Sequence, residues 1–339
     1  MSRPRSQAWA ALLLLLGACG MGPRSRVPVA TPAAVQASIE VGKGPVLLAV
    51  APDGGRVYAA TEGELVAIDT ATNAVVARNP IDPNPVGLAL TSDGGRALLA
   101  TLFGVRLLVI DVVRNQALAP IELLLDLHRG GYGRVAVTPD GATAYVPNYA
   151  QQRLSIADLR RGSSESTLLD MRVRDVVVSP DGRTAYLAGC QNYCATGTIE
   201  ALDTASGRIA RTLTNGPQPL RVALSPDGAR AYTTSTSGAT LSVVDLAADQ
   251  ILATVPVGPT PTGLAVSRDG TRVYVASQAS GTITVVDGVA NAALATLKVG
   301  GEVREVVVTP DGRWLYVSVG DRVVVVPDPR LRLGSGGRE

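Results

Sequence analysis

The sequence is poor in the residues that carry most catalytic and nucleic-acid chemistry. Its 339 residues include one histidine, one phenylalanine and three cysteines, and only 18% are charged, for a formal net charge of +2. A lone histidine argues against histidine-based metal sites, and sparse aromatics with balanced charge argue against a nucleic-acid partner. In contrast, 46% of the residues are hydrophobic, with 36 glycines and 22 prolines. This composition indicates many short strands joined by turns and argues against disorder.

The first residues have the pattern of an export signal. Arg3 and Arg5 precede an apolar run over residues 8–16, which is roughly half the ~20 residues that a membrane-spanning helix needs. We therefore predict a signal peptide over residues 1–18.

The end of this segment, Leu16-Gly17-Ala18-Cys19, resembles the lipobox of bacterial lipoproteins. The resemblance implies lipidation of Cys19 and a protein anchored to the bacterial cell envelope, on its periplasmic or outer-surface side. Ordinary cleavage nearby, with Cys19 discarded, is the alternative. We expect residues 19–33 to form a flexible tether.

Two cysteines remain in the body of the chain. Cys190 and Cys194 would close a small loop, and in an oxidising compartment such a pair predicts a disulfide. A metal site would need further ligands, and none lies nearby in sequence. A redox-active pair is the other alternative, but the two-residue spacing and helix start that lower a thiol pKa are missing.

A turn built on Asp-Gly, usually preceded by Ser/Thr-Pro, recurs seven times. Its aspartates are Asp53, Asp93, Asp140, Asp181, Asp227, Asp269 and Asp311, separated by 40 to 47 residues. A period of about 40–45 residues is the size of one four-stranded propeller blade. The sequence therefore predicts an all-β, seven-bladed propeller of antiparallel blades over residues 34–328, followed by a disordered tail over 329–339.

The second strand of six repeats contains a tyrosine, as in Tyr145-Val146-Pro147-Asn148, Tyr274-Val275-Ala276-Ser277 and Tyr316-Val317-Ser318-Val319. With the Asp-Gly turns, these segments resemble the YVTN-type β-propeller repeat family. The resemblance implies the fold and an extracytoplasmic location. It says little of activity, because such families include surface proteins, proteins of unknown role and some lactonases.

The last repeat lacks an outer strand. Residues 35–41 precede the first inner strand and match the outer-strand ends of other repeats. We predict that this segment completes the seventh blade and closes the ring, which leaves no long exposed edge there.

The Asp-Gly turns share one face and are predicted to be framework, so we look for function on the opposite face. Three insertions lie there: residues 125–133 with His128, 148–153 with Tyr149, and 188–197 with Tyr193. We expect them to cluster in one sector. His128 is the one candidate catalytic base, and its Gly-rich setting is more typical of a surface loop.

The residues four places before each turn should form a ring around the axis. The residues of this ring are Leu47, Gly87, Arg134, Asp175, Arg221, Gly263 and Glu305. Arg174 and Arg304 lie one residue outward from it. One interpretation is self-neutralising ion pairs, and the other is a pocket for a polar or anionic ligand. The candidate ligand-binding residues are Arg134, Tyr149, Arg174, Asp175, Tyr193, Arg221 and Glu305.

These patterns favour a binding or protein-interaction scaffold without catalysis. We expect no metal or cofactor, a monomer, a membrane contact through the anchor only, and a partner that is a protein or a small anionic or polar ligand. A lactonase-like hydrolase and an accessory subunit of a periplasmic redox enzyme are the alternatives.

Overall fold

The computed structural model describes residues 27–44, 47–102, 105–123, 131, 133–191, 196–215 and 218–330. These residues form seven sheets, each one blade of a propeller, and the predicted fold is confirmed. No helix of the described ranges is long and apolar enough to cross a membrane.

Each blade is an antiparallel sheet whose first strand lies nearest the axis. Blade one has β3 (Leu47–Val50), β4 (Arg56–Ala60), β5 (Glu64–Asp69) and β6 (Ala74–Pro80). Blade two has β7 (Pro85–Leu90), β8 (Arg96–Thr101), β9 (Arg106–Asp111) and a divided outer strand, β10 (Gln116–Ala117) and β11 (Ile121–Glu122). Blade three has β12 (Ala136–Val137), β13 (Thr143–Asn148), β14 (Arg153–Asp158) and β15 (Ser163–Leu168). Blade four has β16 (Arg172–Val178), β17 (Thr184–Gln191), β18 (Thr196–Asp203) and β19 (Arg208–Asn215).

The later blades follow the same order. Blade five has β20 (Pro219–Leu224), β21 (Arg230–Ser235), β22 (Thr240–Asp245) and β23 (Gln250–Pro256). Blade six has β24 (Pro261–Val266), β25 (Arg272–Ser277), β26 (Thr282–Asp287) and β27 (Ala292–Lys298). Blade seven has β28 (Val303–Val308), β29 (Trp314–Val319) and β30 (Arg322–Pro327), and its outer strand is β2 (Ala37–Glu40).

The Asp-Gly turns join the first and second strands and also link neighbouring blades. In blade five, the Ser225 hydroxyl donates to the Asp227 carboxylate, whose oxygen accepts the Ala229 amide at 3.0 Å. Gly228 adopts φ +69°, and a Cβ there would lie 3.1 Å from Pro180 in the turn of blade four. Only glycine combines this conformation with so close an approach. The turns therefore act as framework, as the sequence predicts.

The tyrosines of the second strands also link blades. The Tyr316 hydroxyl of blade seven donates to Asn73 Oδ1 of blade one at 2.7 Å, and Tyr274 of blade six donates to the Asp328 carboxylate of blade seven. Both rings are fully buried. Apolar clusters between adjacent blades complete the packing, as where Leu154 of blade three meets Met171 and Leu187 of blade four.

The chain ends differ from the expectation at two places. Strand β2 pairs with β30 as predicted, but residues 30–32, expected in the tether, form β1 (Ala30–Pro32), which pairs parallel with β27 outside blade six. Arg330, expected in the tail, donates to Asp328 at 3.0 Å and to Asp269 at 3.0 Å. Charge pairing and strand-edge hydrogen bonding hold both segments to the propeller. Residues 1–26 and 331–339 lie outside the described ranges.

Candidate functional site

The face opposite the Asp-Gly turns, here called the insertion face, carries the described ends of the three insertions. The Tyr149 amide donates to the Gly131 carbonyl at 2.7 Å, and the Gly133 amide donates to the Pro147 carbonyl at 2.8 Å. Arg172, at the start of β16, lies opposite Cys190 in the register of β16 and β17. The described ends of all three insertions thus lie on blades three and four.

Four charged side chains, here called the axial network, meet at the insertion-face end of the channel: Arg134, Asp175, Arg221 and Glu305. The Arg134 guanidinium forms an ion pair with the Glu305 carboxylate. Since these residues belong to blades three and seven, on opposite sides of the ring, the ion pair crosses the channel. The side chains are 19% and 3% exposed, so the pair is largely shielded from water.

Asp175 is held between blades four and five. Its carboxylate accepts the Val176 amide at 2.9 Å and the Val222 amide at 3.0 Å, one at each oxygen. Burial raises the pKa of Asp175, while the charges of Arg134 and Arg221 and the two amides oppose that rise. Both oxygens of the Asp175 carboxylate therefore accept hydrogen bonds from the propeller backbone.

Arg221 continues the network from blade five to blade six. Its Nε donates to the Thr262 carbonyl at 2.6 Å, and the Thr262 hydroxyl donates to the Arg304 carbonyl of blade seven at 2.8 Å. Burial, with the repulsion of Arg134, lowers the pKa of Arg221 to about 9, so the guanidinium is charged at neutral pH.

The ring positions without charge make room for these contacts. At Gly263, a Cβ would lie 2.9 Å from the Glu305 Cα. Glycine here permits the close approach of blade seven. With two arginines and two carboxylates, the axial network has no formal net charge, which fits the first of the two interpretations offered for this ring. The second, a ligand pocket, stays a prediction.

A second group of side chains, here called the Tyr149 cluster, consists of Tyr149, Arg172 and Arg174. The guanidinium carbons of Arg174 and Arg172 lie 4.5 and 5.5 Å from the centre of the Tyr149 ring. Arg174 also donates to the Tyr149 hydroxyl at 3.3 Å. Burial acts to raise the pKa of Tyr149, but the hydrogen bond from Arg172 and the charges of both arginines lower it overall.

Sequence reasoning missed Arg172. It lies two residues before Arg174, and the period-two pattern of a strand could have identified it. The pairing of β16 with β17 shifts register between Val173 and Asp175, yet both arginines reach the Tyr149 ring. Within the described part of the chain, no carboxylate lies within ion-pair distance of Arg174, whereas Arg304 pairs with Glu302 at 3.1 Å. Within the cluster, Arg174 therefore presents a cationic donor that suits a carboxylate or phosphate.

Several predicted residues lie outside the described ranges: Cys19, His128, Tyr193 and Cys194. Cys190 is buried. The lipidation and the disulfide both stay predictions. Across the described ranges, no three histidine, cysteine, aspartate or glutamate side chains lie together as metal ligands would.

Comparisons with known proteins support the fold. No protein-family model matches the sequence, and no curated protein matches it. A chain of hydrazine synthase from Kuenenia stuttgartiensis is similar in structure, with a TM-score of 0.75 and 19% identity, over 85% of this chain and 96% of that one. The β-propeller domain of Cps50 (Swd1) from Myceliophteria thermophila also has a TM-score of 0.75, with 11% identity, over 88% of this chain and 100% of that one. At such identities the similarity establishes a seven-bladed propeller.

Proposed function

We propose that this propeller is a binding scaffold, exported and lipid-anchored at Cys19, whose insertion face holds an acidic partner. The supporting observation is the Tyr149 cluster, in which two arginines stack on one half-buried tyrosine beside three insertions. The Tyr149 ring holds the guanidinium plane of Arg174, so less side-chain entropy is lost when a carboxylate binds the edge of that plane. The YVTN-type repeat and the lipobox support the extracytoplasmic placement.

The axial network has a supporting part in this proposal. It fixes the start of β16, and Arg174 lies directly before Asp175, both of whose oxygens are hydrogen-bonded to backbone amides. Of the sequence candidates, Tyr149 and Arg174 therefore contact the partner, while Arg134, Asp175, Arg221 and Glu305 hold the inner strands in place.

A hexaglutamate peptide is a suitable probe. We expect Arg174→Ala to weaken its binding about tenfold, since one charge-assisted contact contributes about 1.5 kcal/mol. Binding should also weaken as salt is raised. Arg208→Ala, which removes an exposed arginine of the outer strand β19, is the matched control and should leave the affinity unchanged. Equal affinities for the two variants would contradict the proposal.

The hydrazine synthase similarity makes an accessory role in a redox assembly the second candidate, because it covers nearly all of that chain. Purification of the tagged protein from its native envelope separates the two. The second candidate is favoured if a redox enzyme co-purifies in stoichiometric amount, stays bound at high salt, and also co-purifies with the Arg174→Ala variant.

A further inference from the structure

Below the axial network, the central channel contains a cavity of about 410 Å³. At one end lie Arg134, Asp175 and Arg221. At the other lie Pro180 and Pro226, which are exposed residues of the Asp-Gly turns. Its volume falls in the range of small-molecule sites.

The wall of this cavity is mixed in character and partly open to water. Its aliphatic part consists of side chains near the ends of three inner strands: Val177, Val178, Ala223, Leu224, Ala265 and Val266. Each of them is half-buried, unlike the core side chains packed between the blades. An apolar body placed here would remove water from a surface that the fold leaves exposed.

At the end of the cavity formed by the axial network, the two arginines have hydrogen-bond donors that no described residue accepts. Arg134 Nε is buried and has no hydrogen-bond partner among the described residues. Among the described residues, Arg221 donates one side-chain hydrogen bond, from Nε to the Thr262 carbonyl. That bond fixes the guanidinium plane and leaves its terminal nitrogens for another acceptor. The carboxylate of Asp175 is already bonded to two backbone amides.

The shape of the cavity sets the direction of entry. The ion pair between Arg134 and Glu305 crosses the channel at the insertion face, whereas the opposite end reaches the exposed prolines of the turns. A ligand therefore enters from the Asp-Gly face, and the end that enters first meets the arginines.

From this arrangement we propose that the channel is a binding site for a monocarboxylate with an unbranched aliphatic chain. The carboxylate accepts hydrogen bonds from Arg221 and Arg134, and the chain lies along the aliphatic part of the wall towards Pro180 and Pro226. This site is independent of the Tyr149 cluster, so either proposal can fail while the other stands.

Titration calorimetry of the full chain with butyrate, hexanoate and octanoate tests the site. Affinity should rise with each added methylene, by about fourfold where that methylene is fully buried, since burying one contributes about 0.8 kcal/mol. Octanol, which has the same chain without the charge, should bind at least tenfold more weakly than octanoate. Affinity that is independent of chain length, or no binding at all, overturns the proposal.

Two variants locate the ligand. Ala223→Leu narrows the cavity and should weaken octanoate more than butyrate. Arg221→Met keeps a long side chain but removes the charge, so octanoate should lose its preference over octanol. Arg208→Ala is the control for the loss of one arginine, and a melting curve of each variant shows that it is folded. An unchanged octanoate affinity in folded Ala223→Leu, or a retained preference in folded Arg221→Met, overturns the site.

Discussion

Single side chains on this propeller tie blades that are distant in sequence. The ion pair between Arg134 and Glu305 joins blades three and seven across the channel, and the hydrogen bond from Tyr316 to Asn73 joins blade seven to blade one. Because these side chains are largely shielded from water, their loss is not compensated by hydration.

The Arg134 pair allows a direct test at this scale. Arg134→Met leaves the Glu305 carboxylate buried without its partner, and we expect the free energy of unfolding to fall by about 3–5 kcal/mol. The double variant Arg134→Met with Glu305→Leu should recover most of that loss, because no unpaired charge stays buried. Urea denaturation measures both. A double variant less stable than Arg134→Met would show that the pair itself, beyond charge compensation, stabilises the ring.

At the scale of the element, the Asp-Gly turn is a small hydrogen-bonded unit. In blade seven, the Thr309 hydroxyl donates to Asp311 at 2.5 Å and accepts the Trp314 amide at 3.1 Å. Six turns have this hydroxyl, and blade one has Ala51 in its place.

The contribution of this hydroxyl can therefore be tested by removing it from one turn and by adding it to another. Thr309→Ala should lower the free energy of unfolding by about 1–2 kcal/mol, because one hydroxyl makes two hydrogen bonds. Ala51→Ser should raise it by about 0.5–1 kcal/mol, since Ala51 occupies the same place in the turn. Chemical denaturation of the two variants measures both changes in the free energy of unfolding. If Ala51→Ser destabilises the protein, the missing hydroxyl in blade one reflects a packing constraint.

The elements that sequence predicts well are those whose chemistry is local. A turn of the kind Ser-Pro-Asp-Gly carries its own hydrogen-bonding groups, so seven of them predict seven blades, and the matching outer-strand pattern predicts the closure by β2. Strand β1 and the ion pairs of Arg330 depend on which surface lies alongside the chain after folding. For the same reason, the sequence placed Arg134 and Glu305 on one ring but did not show that they pair across it.

For the whole molecule, the aspartates of the turns predict sensitivity to acid. Hydrogen bonds from turn hydroxyls, followed by those from backbone amides, lower the pKa values of Asp93, Asp140, Asp181 and Asp227 below the ordinary 3.8. Between the lowered value and 3.8, the unfolded chain binds more protons than the folded one. Their stabilisation is therefore complete above about pH 5 and is lost as the pH falls below about 4.

Urea denaturation at pH 3, 4, 5 and 6 measures this effect. We expect the free energy of unfolding to be nearly constant from pH 6 to 5 and to fall steeply by pH 3. Asp175 and Glu200 act in the opposite sense, because burial raises the pKa of each and favours the protonated folded form, but they are two groups against the four turn aspartates and other lowered carboxylates. Stability that stays level down to pH 3 would contradict the prediction.

If Cys19 is lipidated as proposed, the direction of β1 bears on how the molecule is presented to a membrane. It runs parallel to β27, the strand of blade six that leads away from the Asp-Gly face, so the chain enters β1 at the end nearer that face. A lipid on Cys19 would then hold the propeller with its Asp-Gly turns towards the bilayer and its insertion face pointing outwards. The Tyr149 cluster would meet partners arriving from the far side, and the channel mouth would open towards the lipid layer.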